Sequence, residues 1–257
     1  MPILCIDIGN SSAHSGILEK GQVLSRRDTP TRHFVAADSV ARSVLEQMRE
    51  CDCEGLAFAS VVPDAAKGVT RLLEQMGLSP LGYQLRHDTA SFIGFDYPSP
   101  AEVGQDRIAN VIAAKQMLGS PAVVIDMGTA TTFDVLTSKG YAGGIIAPGL
   151  ALMTDYLHEK TALLPKLERM ELLTPGAIGK STVEAMKIGA HIGFRGMIKE
   201  MLKCVMADLE AAGEGRAHVL TTGGNAIVLP EGWWPNAKHV PDLALFGLEI
   251  AFRHARG

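Results

Sequence analysis

No apolar run in these 257 residues approaches the roughly 20 needed to cross a bilayer as a helix, so the sequence offers no transmembrane segment. Runs of basic residues are missing as well. Lys and Arg number 24 against 28 Asp and Glu, a net charge of −4, which argues against a protein built to bind nucleic acid. Cysteine is scarce, with four in the chain. Cys5 falls in an apolar strand pattern and Cys204 in a helical one, where a thiol serves as a small hydrophobe. Cys51 and Cys53 form a C-x-C with no second pair and no histidines at ligand spacing, which argues against a zinc site. The opening MPILCIDIG lacks a basic flank and a small-residue cleavage site, so no signal peptide is expected and the reading is a cytoplasmic protein with reduced thiols. At 47% hydrophobic and 20% charged residues, the composition suits a globular protein of one large domain or two of about 120 residues.

What is present centres on Ala122 to Asp134, AVVIDMGTATTFD. A hydrophobic run that stops at a carboxylate and a glycine delivers one charged group to the end of a buried strand. Gly128 removes a Cβ that would keep a phosphate from the backbone, and Thr129, Thr131 and Thr132 add hydroxyl donors to a tight hairpin. The pattern predicts a phosphate and cation site. The chain carries it twice: in ILCIDIGNSS, Ile6, Asp7 and Gly9 match Ile125, Asp126 and Gly128. The two copies lie 119 residues apart, near half the chain, as a duplicated domain would place them. The expected architecture is α/β, with halves at 1–118 and 119–257, each offering one acidic hairpin to a shared cleft.

Periodicity supplies the rest. Strands are expected at Ser15 to Leu18, Gln22 to Arg26 and Gly55 to Val62, with a helix over Ala36 to Glu50 and another capped by Asp64 and ending at Met76. A broken stretch from Leu85 to Pro100 leads to Glu102–Asn110, EVGQDRIAN, and a helix over Ile108 to Leu118. Asp106 then sits at a helix start, where the partial positive charge favours a carboxylate; a simple cap with a solvated Arg107 is the plainer alternative. The second half reads as a meander over Phe133 to Thr137 and Tyr141 to Ile146, a Gly/Pro-rich bend through Gly149, and a helix from Leu150 to Thr161. Gly179-Lys180-Ser181-Thr182 looks like the end of a P-loop, but Thr174 stands where the first glycine is needed and no strand precedes it. Thr182 to Met201 is a helix with more apolar positions than one core stripe needs, and Gly189, Gly193 and Gly196 would allow a second helix, in this subunit or another, to approach. His218 to Thr222 is a strand entering Gly223-Gly224-Asn225, and Leu243 to Arg256 is the last helix. Trp233 and Trp234 read as loop fillers.

DIGNSS at 7–12, EVGQDRIAN at 102–110, DMGTATTFDV at 126–135, GGIIAPG at 143–149, TALLP at 161–165, GKSTVEAM at 179–186 and TGGNA at 222–226 resemble, in that order, type III pantothenate kinase. The resemblance spans nearly the whole chain. It implies the superfamily of acetate and sugar kinases, actin and heat-shock chaperone ATPases, built from two ribonuclease-H-like halves, and the ATP-dependent phosphorylation of pantothenate to 4′-phosphopantothenate. By the same resemblance, Asp7, Ile8, Gly9, Asn10, Ser11, Ser12, Ala13 and His14 form the first phosphate hairpin, with Asp7 holding Mg²⁺ through water. Asp126 binds a monovalent cation, K⁺ or ammonium, and Thr129 contacts ATP. Gly104, Gln105, Asp106 and Arg107 bind pantothenate, with Asp106 as catalytic base. Tyr97 touches the substrate, and Thr182 reaches the substrate of the neighbouring subunit in a homodimer. Arg107 would pair with the pantothenate carboxylate or with a phosphate oxygen.

Two positions depart from the family's usual pattern: Gln105 stands where a small residue is common, and Ser99 where an asparagine is. A non-catalytic regulatory relative would keep the fold without needing Asp7, Asp106 and Asp126 together. Another kinase or a phosphatase of the superfamily would keep both hairpins but lack the segment from Gly104 to Arg107.

Overall fold

Ile3–Ile8 forms strand β1, and its alternation decides what lies on each side of it. Leu4, Ile6 and Ile8 point to one face, where they join Ala13 and Ile17 of β2 (Ser12–Glu19) in a buried cluster. Helices α1 (Thr31–Ala36), α2 (Ser39–Glu50) and α3 (Pro63–Gln75) close that cluster with Phe34, Val44, Leu45, Val69 and Leu72. Each fully buried side chain of this size contributes about 1.5–3 kcal/mol over its exposed state. The computed structural model describes residues 1–167 and 176–257. Thr174, weighed above as a P-loop position, lies outside the described residues.

β1 pairs antiparallel with β2 and parallel with β4 (Leu56–Ser60). With β3 (Gln22–Pro30) and β5 (Gly82–Gln84) the sheet has the order β3-β2-β1-β4-β5. A second sheet repeats this plan. β6 (Ala122–Met127) opens a hairpin with β7 (Ala130–Thr137), β8 (Gly140–Pro148) follows, and β6 pairs parallel with β9 (His218–Thr222), beside which lies β10 (Lys238–His239). Its order, β8-β7-β6-β9-β10, matches the first strand for strand, and the repeat of Asp7 at Asp126 is the sequence trace of that correspondence.

The chain divides into two compact units. One comprises Met1–Gly119, Asp134–Gly143 and Asp242–Gly257; the other comprises Ser120–Phe133 and Gly144–Pro241. The last helix, α7 (Leu243–Arg256), therefore belongs with the first unit rather than with residues 119–257. It packs on β1, β2, β4 and α4 (Gln105–Leu118), and it crosses α4 so closely that a Cβ on Gly247 would collide with the Ala109 carbonyl. Glu249 is buried there and ties the helix down. It accepts from the Gly21 amide at 2.9 Å and from Arg253, whose guanidinium also reaches Glu54 at 2.8 Å.

Several boundaries differ from the periodicity reading. The helix expected from Ala36 breaks at Ala37, whose φ is 52°, and restarts after Asp38, whose carboxylate accepts from the Val40 and Ala41 amides. Asp64 is not a cap: Pro63 already occupies the first turn, so Asp64 lies inside α3 and pairs with Lys67 at 2.9 Å in solvent. In the second unit, helix α5 spans Leu150–Lys160 and α6 spans Thr182–Ala211, ten residues beyond the expected end. The apolar series continues through Leu202, Val205 and Leu209 and stops only at Gly213, with φ at +77°. Ser181 and Glu184 form a capping pair at its start, the Ser181 hydroxyl accepting from the Glu184 amide and the Glu184 carboxylate from the Lys180 amide. No helix among the described residues is long and apolar enough to cross a membrane.

Candidate active site

In the first unit, β1 and β2 are joined by Gly9, Asn10 and Ser11. The turn is held from both sides. The Gly9 amide donates to the Ser12 carbonyl at 3.0 Å, while Thr31 donates its hydroxyl to Gly9 O at 2.7 Å and its amide to Ser11 O at 3.1 Å. Asn10 and Ser11 stay exposed, whereas Ile8 and Ala13 are buried and can offer a ligand only their backbone. Asp7 faces His14 directly across the strand pair, and His14 faces Asp28 on β3. His14 Nδ1 lies 2.7 Å from Asp28 Oδ1. Burial alone would raise the Asp28 carboxyl, but the hydrogen bond and charge of His14, with Arg26 nearby, hold it below the usual carboxylate range.

The segment from Gly104 to Arg107 opens α4, with Gly104 as the N-cap and Asp106 in the first turn. The Asp106 carboxylate accepts from the Arg107 amide at 2.7 Å. Burial raises its carboxyl above the ordinary range, against the smaller opposing pull of that amide and of the Arg107 charge. Gly104 makes the position possible: a Cβ there would stand 2.5 Å from Asp106 Oδ1. The Gln105 side-chain oxygen accepts from the Ser60 amide at 2.9 Å, and Ser60 is the register partner of Ile8. Gln105 thus moors the first turn of α4 to the strand ends that carry Asp7.

Arg107 does not stand solvated as a plain cap residue would. Its Nε donates to Asp134 Oδ1 at 2.6 Å, and Asp134 is fully buried. Tyr141 also donates to Asp134 Oδ1, at 3.3 Å, and the Tyr97 ring meets the Tyr141 ring edge-on at 5.7 Å. Neither Asp134 nor Tyr141 is marked by local patterning.

The second unit carries the other hairpin. β6 and β7 are joined by Gly128 and Thr129, one residue fewer than in the first hairpin, and the Gly128 amide donates to Ala130 O at 3.0 Å. Thr129 is exposed, but Thr131 is buried and donates its hydroxyl to Pro148 O at 3.4 Å. Thr131 is therefore spent on the fold and is not a donor for a phosphate. Asn225, read in the sequence only as part of a glycine-rich turn, braces the hairpin: its amide donates to Met127 O at 3.0 Å and its Nδ2 to Gly128 O at 3.1 Å. Gly223 has φ at +85°, and a Cβ on it would lie 2.6 Å from Asp126 Oδ1. Gly149 approaches the backbone of Thr129, to which its amide donates at 3.2 Å. The two glycine-rich bends make room for this hairpin and its carboxylate. Thr182 is exposed in the first turn of α6.

The donors suit hard cations. Asp7 and Asp126 each offer carboxylate oxygen at the end of a strand. A single carboxylate of this kind fits Mg²⁺ beside a nucleotide, since that ion keeps several waters and binds through one or two carboxylates plus phosphates.

Two hairpins of this kind on sheets of one strand order define an actin-like ATPase fold. Solved structures agree: component A of (R)-2-hydroxyglutaryl-CoA dehydratase from Acidaminococcus fermentans matches with a TM-score of 0.55 at 14% identity over 100% of both chains. The ethanolamine utilization protein EutJ from Carboxydothermus hydrogenoformans matches at 0.54 and 14%, over 98% of this chain and 89% of that one. Within that fold the chain belongs to the type III pantothenate kinase family, whose model matches residues 3–204. A type III pantothenate kinase of Akkermansia muciniphila is 40% identical over 86% of this chain and 88% of its own. One of Moorella thermoacetica is 35% identical over 97% and 98%.

Proposed function

We infer that this protein transfers the γ-phosphoryl group of ATP to the primary hydroxyl of pantothenate, giving 4′-phosphopantothenate, the first step of coenzyme A biosynthesis. The observation that carries the reading is Asp106: a carboxylate in the family's acceptor segment, clamped by the Arg107 amide and raised by burial. Phosphoryl transfer asks little covalent chemistry of a protein; it asks for alignment, charge neutralisation and one base for the attacking hydroxyl. A carboxylate whose proton affinity burial has raised is, in its ionised form, a better proton acceptor than an ordinary one. In this reading Asp106 takes the hydroxyl proton, Gly104, Gln105 and Arg107 shape the acceptor site with Tyr97, and Arg107 pairs with the acceptor carboxylate. The segment from Asp7 to His14 cradles the phosphates with its exposed turn, and Thr129 touches ATP from the second hairpin. Asp7 would hold Mg²⁺ through water and Asp126 a K⁺ or ammonium ion; when bound, these cations offset phosphate charge.

A homodimer is part of the proposal. Val183 and Ile192 on α6 and Leu152 and Tyr156 on α5 are 38–62% exposed, and a Cβ on Gly189, Gly193 or Gly196 would meet nothing. A second copy would cover this face and bring Thr182 to its partner's substrate. The substrates are soluble metabolites, so the protein acts in the cytoplasm, without nucleic acid or membrane as partners.

The test is ADP release from ATP and Mg²⁺ with pantothenate, with and without K⁺, for the parent and for Asp106→Asn. The expected result is turnover that requires pantothenate and K⁺ and falls about 10²–10⁴-fold in the variant. ATP binding without turnover of pantothenate would sink the reading in favour of a regulatory relative. A monomer in sedimentation at working concentration would overturn the dimer.

A further inference from the structure

Asp134 is a carboxylate in the interior of β7 with no exposed surface, and the reaction as described gives it no part. An ion buried there costs several kcal/mol unless its partners are well placed. Replacing such pairs with apolar side chains is often neutral or stabilising, so stability alone is a poor account of this one.

The partners of Asp134 are themselves connected to the acceptor segment. Arg107 is bound through Nε, at 2.6 Å, which fixes the plane of the guanidinium. That plane matters, because a guanidinium meets a carboxylate edge to edge and in one plane. Tyr141 supplies the second contact, its hydroxyl on Asp134 and its ring 5.8 Å from the Arg107 guanidinium carbon. Burial and the Asp134 charge push the Tyr141 hydroxyl well above its usual range, so it remains a donor. The backbone of Tyr141 holds the segment carrying Tyr97: its amide donates to Gly94 O at 3.1 Å and its carbonyl accepts from Asp96 at 2.9 Å. The Tyr97 ring then settles over Gly143, 3.4 Å from where a Cβ would be. Arg107 and Tyr97, on separate elements, thus share one buried hub.

We propose that Asp134 and Tyr141 are positioning residues for acceptor specificity: by fixing Arg107 and Tyr97 relative to each other, they set the site to recognise an acceptor that ends in a carboxylate. This rests on the acceptor-site reading above.

The experiment compares pantothenate with its primary amide, which has the same shape and no charge. Binding of each is measured by calorimetry with a non-hydrolysable ATP analogue, and turnover by ADP release, for the parent, Asp134→Asn and Tyr141→Phe. The parent should prefer the carboxylate. In Asp134→Asn the preference should fall by at least about tenfold, through the KM for pantothenate and not the KM for ATP, as expected when one charge-assisted contact loses its alignment. Tyr141→Phe, which keeps the ion pair, should lose about two- to fivefold. Equal losses on both acceptors would make the hub merely structural and overturn the proposal, as would a parent indifferent to the charge. If Asp134→Asn does not fold, an unchanged preference in folded Tyr141→Phe overturns it as well. A parent that binds pantothenate preferentially but never phosphorylates it would refute the kinase reading while leaving this inference standing.

Discussion

Gly104→Ala is a narrow probe of the base, because its cost falls on one atom. The backbone at Gly104, φ −56° and ψ 140°, is open to alanine, so the substitution brings no conformational strain. The new Cβ would stand 2.5 Å from Asp106 Oδ1. An ordinary tight contact is about 3.2 Å, so the carboxylate must retreat by about 0.7 Å and loosen its 2.7 Å bond from the Arg107 amide. A displacement of about 1 Å at a reacting group costs about 10²-fold in rate; the smaller shift here should lower kcat about 10- to 100-fold. Stability should change by no more than about 1 kcal/mol, the scale of one hydrogen bond and a cap substitution. ADP release at saturating pantothenate and ATP, set beside a melting curve, separates the two effects. A variant that keeps the parental kcat would show that Asp106 need not occupy this position, and the base assignment would fall with it.

Three further outcomes are expected. Since burial raises the Asp106 carboxyl above 3.8 in the folded protein, the native state holds that proton more tightly than the unfolded chain; its contribution to stability is full below 3.8 and disappears as pH rises through the raised value. Asp106→Asn should therefore be more stable than the parent on the alkaline side of that raised value, with the gain shrinking on acidification, and the acid limb of the parent's kcat/KM should have its midpoint above 3.8; a midpoint at or below 3.8 would contradict this. Arg253→Ala strips the buried Glu249 of its ion pair and should cost about 1–3 kcal/mol in urea unfolding with KM values kept, whereas an unchanged transition would mean that the Gly21 amide suffices. Gly223→Ala crowds Asp126 Oδ1 and asks alanine for φ at +85°, so half-activation should need several-fold more K⁺; an unaltered K⁺ curve would separate Asp126 from the cation.

Local patterns carried a good share of this molecule. The repeat of Asp7 at Asp126 announced two sheets of one strand order, and the helix start at Asp106 followed from polarity and spacing. What escaped were contacts between residues far apart in the chain. Asp134 reads as the end of a motif until Arg107, 27 positions away, is seen beside it. Asn225 braces a turn 97 residues distant, and no periodicity encodes that. Thr131 was misjudged because a hydroxyl in a strand faces inward or outward according to the strand's exact register. α7 was assigned by order along the chain, whereas it packs on the sheet formed by the opening residues.

The packing of α7 has a consequence for how the chain is made. Some 160 residues separate the end of β5 from the first turn of α7, about 8–32 s of synthesis at 5–20 residues per second. Throughout that interval the nascent sheet waits with one apolar face uncovered, although the strands themselves are already complete. The opening third of the protein is therefore a poor candidate for independent expression. A stop codon placed after Gly119 would release a sheet lacking its lid, and aggregation should follow.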